Sequence, residues 1–178
     1  MNTKAKPFIK WVGGKGQLIE QLEAKLPADF GNWKNATYIE PFVGGGAMLF
    51  YMLQQHPNIR RAVINDINSD LITCYRIVRD NVEELIPALQ DIQAEYYALQ
   101  DMEAKREMYM AVRQRYNEKN LDPVENTAKF FFLNRTCFNG LYRVNKKGLF
   151  NVPCGKYMQP QICDEETLIA DSKLLKRV

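Results

Sequence analysis

The chain has 178 residues, 46% apolar and 25% charged, with a formal net charge of +3. That length supports one domain with a real core, or one domain carrying a modest insertion. No apolar run approaches the roughly 18 to 20 residues of a membrane span, and the opening MNTKAKPF lacks an apolar run followed by a small-residue cleavage site, so a cytoplasmic location with no membrane partner is the expectation. Four cysteines, Cys74, Cys137, Cys154 and Cys163, have no CxxC spacing and come with a single histidine, which argues against a zinc cluster and a disulfide scaffold alike.

In chain order, WVGGKGQLIEQLEAKL opens with a glycine turn. Leu18, Leu22 and Leu26 follow at four-residue spacing, predicting an amphipathic helix that Pro27 closes. GGKG at 13–16 lacks the GxxxxGK[ST] frame of a phosphate-binding loop. ATYIEPFVGGG gives a short strand, a proline and glycines at 44, 45 and 46, and AMLFYMLQQ then reads as a second helix. His56, in QQHPN, reads as a surface residue at a helix end before a proline. RRAVINDINSDLI repeats the shape: a strand from Ala62 to Ile64, an acidic tip at Asp66, and a helix that Asn68 or Ser69 can cap. Two successive strand-turn-helix units predict an α/β fold with a parallel, Rossmann-like sheet.

From about Val82 to Leu133 the pattern becomes helical and charge-rich, with a helix start at Asp122-Pro123, as an inserted subdomain would. GLYRVNKKGLFNVP places β-prone runs on either side of the polar turn Asn145–Gly148 and predicts a β-hairpin. DEETLIADSKLLKRV reads as a helix followed by a stub. These segments divide the chain into a first part over 1–81, an inserted part over 82–160 and a return over 161–178.

Two features carry chemistry. A glycine turn that follows a strand and opens a helix lets a ligand approach free N–H groups, and about 20 residues later Asp66 is placed to accept hydrogen bonds from both hydroxyls of a ribose. Together they point to a nucleoside-containing cofactor; the alternative is a tight turn with Asp66 capping a helix. Trp11 and Lys15 can add an aromatic surface and a cation, although a lone tryptophan in an apolar stretch also suits a core. Secondly, no acidic residue occurs from Asn126 to Cys163, while Lys129, Arg135, Arg143, Lys146, Lys147 and Lys156 lie there beside Phe138, Tyr142, Phe150 and Tyr157. Cations interleaved with aromatics suit a phosphate backbone and unstacked bases.

KPFIKWVGGKGQL, EPFVGGGAML, INDINSDLI and NRTCFNGLYRVNKKGLFNVPCGKY occur in the order and at about the spacings of Dam-type DNA adenine-N6 methyltransferases, particularly those that modify GATC, and the chain from Lys6 to Tyr157 resembles that family. The resemblance implies S-adenosylmethionine as cofactor, contacted by Trp11, Lys15, the turn Phe42–Gly46 with Gly44 and Gly46, and Asp66. It implies double-stranded DNA as partner and a recognition hairpin in which Phe138 wedges into the duplex and Arg143 reads a guanine. Asn139, Pro153, Lys156 and Tyr157 align there with positions lying against the DNA. For Phe138, as for Phe150, the other reading is hairpin core, and for Arg143 a solvated charge.

Adenine N6 is a poor nucleophile because its lone pair is delocalised into the ring. The family meets this with an Asp-Pro-Pro-Tyr loop that positions the amino group and favours the developing charge. The chain's one Asp-Pro, Asp122-Pro123, lacks the second proline and the tyrosine. The expectation is therefore a fragment that carries the cofactor and DNA-reading segments of a methyltransferase of this family, inactive alone, whose incomplete sheet can self-associate. A non-catalytic DNA-binding remnant and an RNA methyltransferase are the competing readings.

Overall fold

A computed structural model describes residues 4–178. Strands β1 (Ala36–Glu40) and β2 (Ile59–Ile64) pair in parallel, Tyr38 opposite Ala62 and Glu40 opposite Ile64, and helix α2 (Ala47–Gln55) makes the crossover. β2 thus begins three residues before the predicted Ala62. On the edge away from β1, the Ala62 N–H donates to the Arg177 carbonyl at 2.7 Å. Met48, Leu49, Phe50, Met52 and Leu53 of α2 are buried in the core. α3 (Ser69–Asp80) is capped by Asn68, whose side chain accepts the Leu71 N–H at 2.9 Å, so Asn68 rather than Ser69 starts it.

The amphipathic helix expected from Leu18 to Leu26 is short and broken. A 3-10 turn over Lys15–Leu18 precedes α1 (Ile19–Glu23), and only Ile19 and Leu26 pack on the core while Leu18 and Leu22 stay exposed. About a turn and a half is too little helix to hold itself without a covered face. His56 is likewise not the expected surface residue. Its side chain is 17% exposed, Nε2 lies 3.5 Å from Glu23, and the ring meets Phe30 edge-on at 5.1 Å.

Three long helices follow: α4 (Val82–Ala98), α5 (Met102–Asn117) and α6 (Pro123–Thr136). Asp122 caps α6 through the N–H groups of Val124 and Glu125, with Pro123 at the first helical position. Four consecutive α6 residues, Phe130, Phe131, Phe132 and Leu133, are buried, because the helix is surrounded by α3, α4 and α5. Phe8 stacks on Phe131 with centroids 5.5 Å apart, tying the N-terminal segment into the same core. Buried Lys105 donates to the carbonyls of Tyr96 and Leu99, both at 2.6 Å, and so satisfies the end of α4. α7 (Glu165–Leu175), capped by Asp164, packs on α2, α3 and α4.

The predicted hairpin folds back on itself but forms no regular strands. Two isolated antiparallel bridges, Val144 to Phe150 and Cys137 to Cys154, stand where a ladder was expected. Two ladder bonds form, from the Asn145 N–H to the Leu149 carbonyl and from the Asn151 N–H to the Arg143 carbonyl, but side chains take the reciprocal groups. Asn145 accepts the Leu149 N–H and Arg143 Nη2 donates to the Asn151 carbonyl, each at 3.1 Å, while α5 holds the outward-facing edge of the second arm. Asn117 accepts the Phe150 N–H at 2.8 Å and donates to its carbonyl at 3.0 Å, and Tyr109 and Arg113 both donate to the Val152 carbonyl. At the tip, Asn145 accepts the N–H groups of Lys147 and Leu149.

Candidate cofactor site and nucleic-acid interface

β1 and β2 deliver Glu40 and Asp66 to the same end of the sheet. The Asp66 carboxylate accepts the Gly44 N–H on one oxygen and the Asn68 N–H on the other, each at 3.0 Å, and thereby fastens the glycine turn to the start of α3. The helix cap is Asn68, so Asp66 ties the glycine turn to the residue that caps α3 without capping the helix itself. Each carboxylate oxygen keeps a further lone pair for a ligand hydroxyl. Gly44 and Gly46 adopt φ of +51° and +80°. A Cβ at Gly46 would lie 2.4 Å from the Tyr75 hydroxyl, and one at Gly44 3.0 Å from the Trp11 indole. Tyr75 donates to the Gly44 carbonyl at 2.8 Å, and burial holds its hydroxyl protonated by pushing its pKa well up.

Trp11 is half-buried against this turn, 5.4 Å from the Tyr142 ring and 6.5 Å from Phe130. The Lys15 ammonium donates to Glu40 at 2.9 Å and to the Phe42 carbonyl. Glu40 is buried, and its other oxygen accepts the Tyr38 hydroxyl at 2.9 Å. Burial, aided by Glu40, raises the Tyr38 pKa, so that hydroxyl remains a donor. Phe42 is 77% exposed, and Ile67 at the tip of β2 is fully exposed. Large apolar side chains standing free beside a carboxylate and a glycine turn suit the face of a planar ligand. Glu40 and Ile67 were not among the candidates read from the sequence. The signal for Glu40 was present: it is an acidic residue ending β1, as Asp66 follows the end of β2.

The segments 136–140 and 153–157 run side by side, with the Phe138 N–H on the Pro153 carbonyl at 2.9 Å and the Gly155 N–H on the Thr136 carbonyl at 2.8 Å. Phe138, 52% exposed, is no part of the core, whereas Phe150 is 3% exposed and is. Asn139, Pro153 and Lys156 are exposed, Tyr157 is half-buried, and Asn139 takes a left-handed φ of +53°. Lys10, unforeseen from the sequence, stands with its ammonium 5.3 Å from the Tyr157 ring centroid. Asn134, buried on α6, accepts the Lys10 N–H and donates to the carbonyls of Lys10 and Gly140, which joins these pieces.

The basic block is smaller at the surface than in the sequence. Lys129 pairs with Glu125 at 3.2 Å, and Arg135, mostly buried, donates to the Phe8 carbonyl. Arg143, Lys146, Lys147 and Lys156 remain exposed. Tyr142, adjacent to Arg143, lies 3.5 Å from Asp70, which also receives the Tyr116 hydroxyl and Lys119. The turned segment is therefore anchored to α3, just after Asp66.

Residues 11–178 match the D12 class N6 adenine-specific DNA methyltransferase family, and the chain belongs to that family. It is 49% identical over 177 residues to the type II methyltransferase M.MjaIII of Methanocaldococcus jannaschii, covering 98% of this chain and 61% of that protein. It is 39% identical to a type II methyltransferase of Lactococcus lactis subsp. cremoris, covering 96% of this chain and 55% of that protein. It is 34% identical to the DNA adenine methylase of Escherichia coli, covering 92% of this chain and 52% of that protein. The chain spans just over half to about three-fifths of the length of these relatives. Among the described residues no helix is long and apolar enough to cross a membrane.

Proposed function

We propose that this chain forms the cofactor-binding and DNA-reading part of an S-adenosylmethionine-dependent methyltransferase that modifies adenine N6 in double-stranded DNA, with GATC as its target. The observation that carries the cofactor assignment is the juxtaposition of Asp66, the Gly44–Gly46 turn and the Lys15–Glu40 pair at one end of the parallel strands. The donor set fits such a cofactor group by group. Asp66 suits a ribose diol, Lys15 a carboxylate, Glu40 an ammonium or sulfonium, and the free faces of Phe42, Ile67 and Trp11 an adenine ring. When bound, the cofactor supplies an electrophilic methyl group; the residues here hold and orient it.

On the DNA side, Phe138 is assigned as the wedge that fills the stack vacated by the target base, because its ring is exposed on a turn whose backbone is pinned. Arg143 is assigned to a guanine edge, and Asn139, Pro153, Lys156 and Tyr157 to the surface lying along the duplex. In the complete protein a Rossmann-like sheet would continue from β2, the inserted part over 82–160 would carry recognition, and 161–178 would lead back to the catalytic half. The 178 residues contain no Asp-Pro-Pro-Tyr sequence, so the isolated segment binds cofactor and DNA without transferring a methyl group. Its exposed Ile39 and Val63 favour self-association when it stands alone.

Calorimetric titration of the chain with S-adenosylmethionine, beside Asp66→Ala and Lys15→Ala, tests the cofactor assignment. Saturable binding weakened by both variants is expected. Binding that ignores both substitutions in folded protein would overturn it. Methyl transfer to DNA by the isolated chain would overturn the division of labour.

A further inference from the structure

We infer that Asn151 is a positioning residue that presents the Arg143 guanidinium to DNA. This rests on the assignment of Arg143 to a guanine. Arg143 projects from the exposed arm of the turned segment, where a long side chain ordinarily samples many rotamers. Here it does not swing free. Its Nε donates to the Asn151 side-chain oxygen at 2.8 Å, and one terminal nitrogen, Nη2, donates to the Asn151 carbonyl at 3.1 Å. The Asn151 N–H in turn donates to the Arg143 carbonyl at 3.0 Å, which fixes the two residues across the fold-back.

Asn151 is itself held on both sides. Buried Phe150 is bound through both backbone groups to Asn117, and the carbonyl of buried Val152 accepts from Tyr109 at 2.7 Å and Arg113 at 3.1 Å. The acceptors that hold the guanidinium are therefore mounted, through one residue, on α5.

The consequence follows from guanidinium geometry. A guanidinium has a side edge, made by Nε and one Nη, and an end edge, made by the two Nη groups. Asn151 occupies the side edge of this exposed side chain, and Nη1, on the end edge, has no hydrogen-bond partner among the described residues. Two parallel N–H groups on that edge match the O6 and N7 acceptors of one guanine. Fixing the plane before contact reduces the ordering cost of forming both bonds together, so Asn151 sharpens base choice without touching the base. A lysine at 143 could use neither edge.

The test measures binding of the full chain to a GATC duplex, to the same duplex with 7-deazaguanine in place of the contacted guanine, and to an unrelated duplex. Deazaguanine lacks the N7 acceptor. For the unsubstituted chain, the analogue and the unrelated duplex should bind roughly tenfold or more weakly. Asn151→Ala should erase most of that penalty, while affinity for the unrelated duplex stays within about twofold and thermal stability is little changed. Asn151→Asp, which keeps the acceptor, should preserve the penalty. In an Arg143→Lys background, Asn151→Ala should change nothing further. If Arg143→Lys loses discrimination and Asn151→Ala keeps it, the positioning role is overturned while the reading of Arg143 stands. If Arg143→Lys leaves discrimination intact, the reading of Arg143 fails first.

Discussion

The carboxylate of Asp66 and the backbone N–H of Gly44 meet at 3.0 Å, so the acidic tip after β2 holds the glycine turn after β1 in place. One side chain therefore shapes the turn and, in the proposed function, also accepts from the cofactor, so its removal should affect both.

Asp66→Ala should weaken S-adenosylmethionine binding by about tenfold or more, since two hydrogen bonds to a charged group are each worth roughly 1.5–3 kcal/mol. Thermal unfolding should show a smaller loss, about 1 kcal/mol, because the freed Gly44 and Asn68 N–H groups are only partly buried and water can replace the carboxylate. Asp66→Asn, able to accept on one oxygen only, should fall between. Unchanged cofactor affinity in a folded Asp66→Ala protein would contradict the prediction.

Gly46→Ala should destabilise the chain by about 1–3 kcal/mol, because its left-handed φ is combined with a Cβ that would strike the Tyr75 hydroxyl at 2.4 Å. Tyr75→Phe removes the hydroxyl and its bond to the Gly44 carbonyl. In the double variant the steric part should be relieved, so the two losses add to less than their sum. Denaturant midpoints of the four proteins give this coupling directly, and full additivity would show that the clash is absorbed elsewhere.

Asn134→Ala should cost about 2–4 kcal/mol, since it removes three hydrogen bonds at a buried position and leaves the Lys10 and Gly140 backbone groups unpaired. The same change frees Lys10 and the Phe138–Gly140 turn, so DNA affinity should fall in protein that is still folded at low temperature. Loss of stability with DNA binding intact would separate α6 from the recognition surface.

Asp171 on α7 is fully buried, with one oxygen accepting the Lys6 N–H at 2.9 Å and the other without a partner. Burial pushes its pKa up to about 8, opposed in part by the Lys6 bond and reinforced by Asp164. The folded chain thus keeps a proton that the unfolded chain gives up near its ordinary carboxylate pKa. Because the native state binds the extra proton, this group's contribution falls as pH rises from about 4 to about 8 and is flat beyond, by up to a few kcal/mol. Asp171→Asn mimics the protonated form. It should leave stability nearly unchanged near pH 4 and raise it at pH 8, read from melting temperatures across the range; an equal effect at both pH values would mean that the carboxyl is not held protonated.

How much of this was legible without coordinates differs from element to element. The strand-turn-helix pairs over 36–55 and 59–80 were readable because apolar runs, consecutive glycines and an Asn cap are local signals whose physics lies within a few residues. The α6 start at Asp122-Pro123 was readable for the same reason. The stripe at Leu18, Leu22 and Leu26 misled because spacing specifies a face and says nothing about what covers it. The hairpin misled because the side chains of Asn145 and Arg143 take the Leu149 N–H and the Asn151 carbonyl that a ladder would pair, while Asn117, Tyr109 and Arg113 reach in from a helix much earlier in the chain to hold the outer edge at Phe150 and Val152.

The sequence by itself determined the kind of chemistry available: a glycine turn, an acidic strand tip, a basic and aromatic block, and the motif order of its family. Those are properties of residue types and short spacings. Only the tertiary structure decided which cations face outward and which are spent inside, since Arg135 and Lys129 differ from Arg143 in their neighbours and not in their charge. It alone brought Glu40 to Lys15 across 25 residues and set the hydrogen-bonded edge of Arg143 against Asn151. Burial and hydrogen-bond direction depend on segments far apart in sequence meeting in space, and no local pattern encodes that meeting.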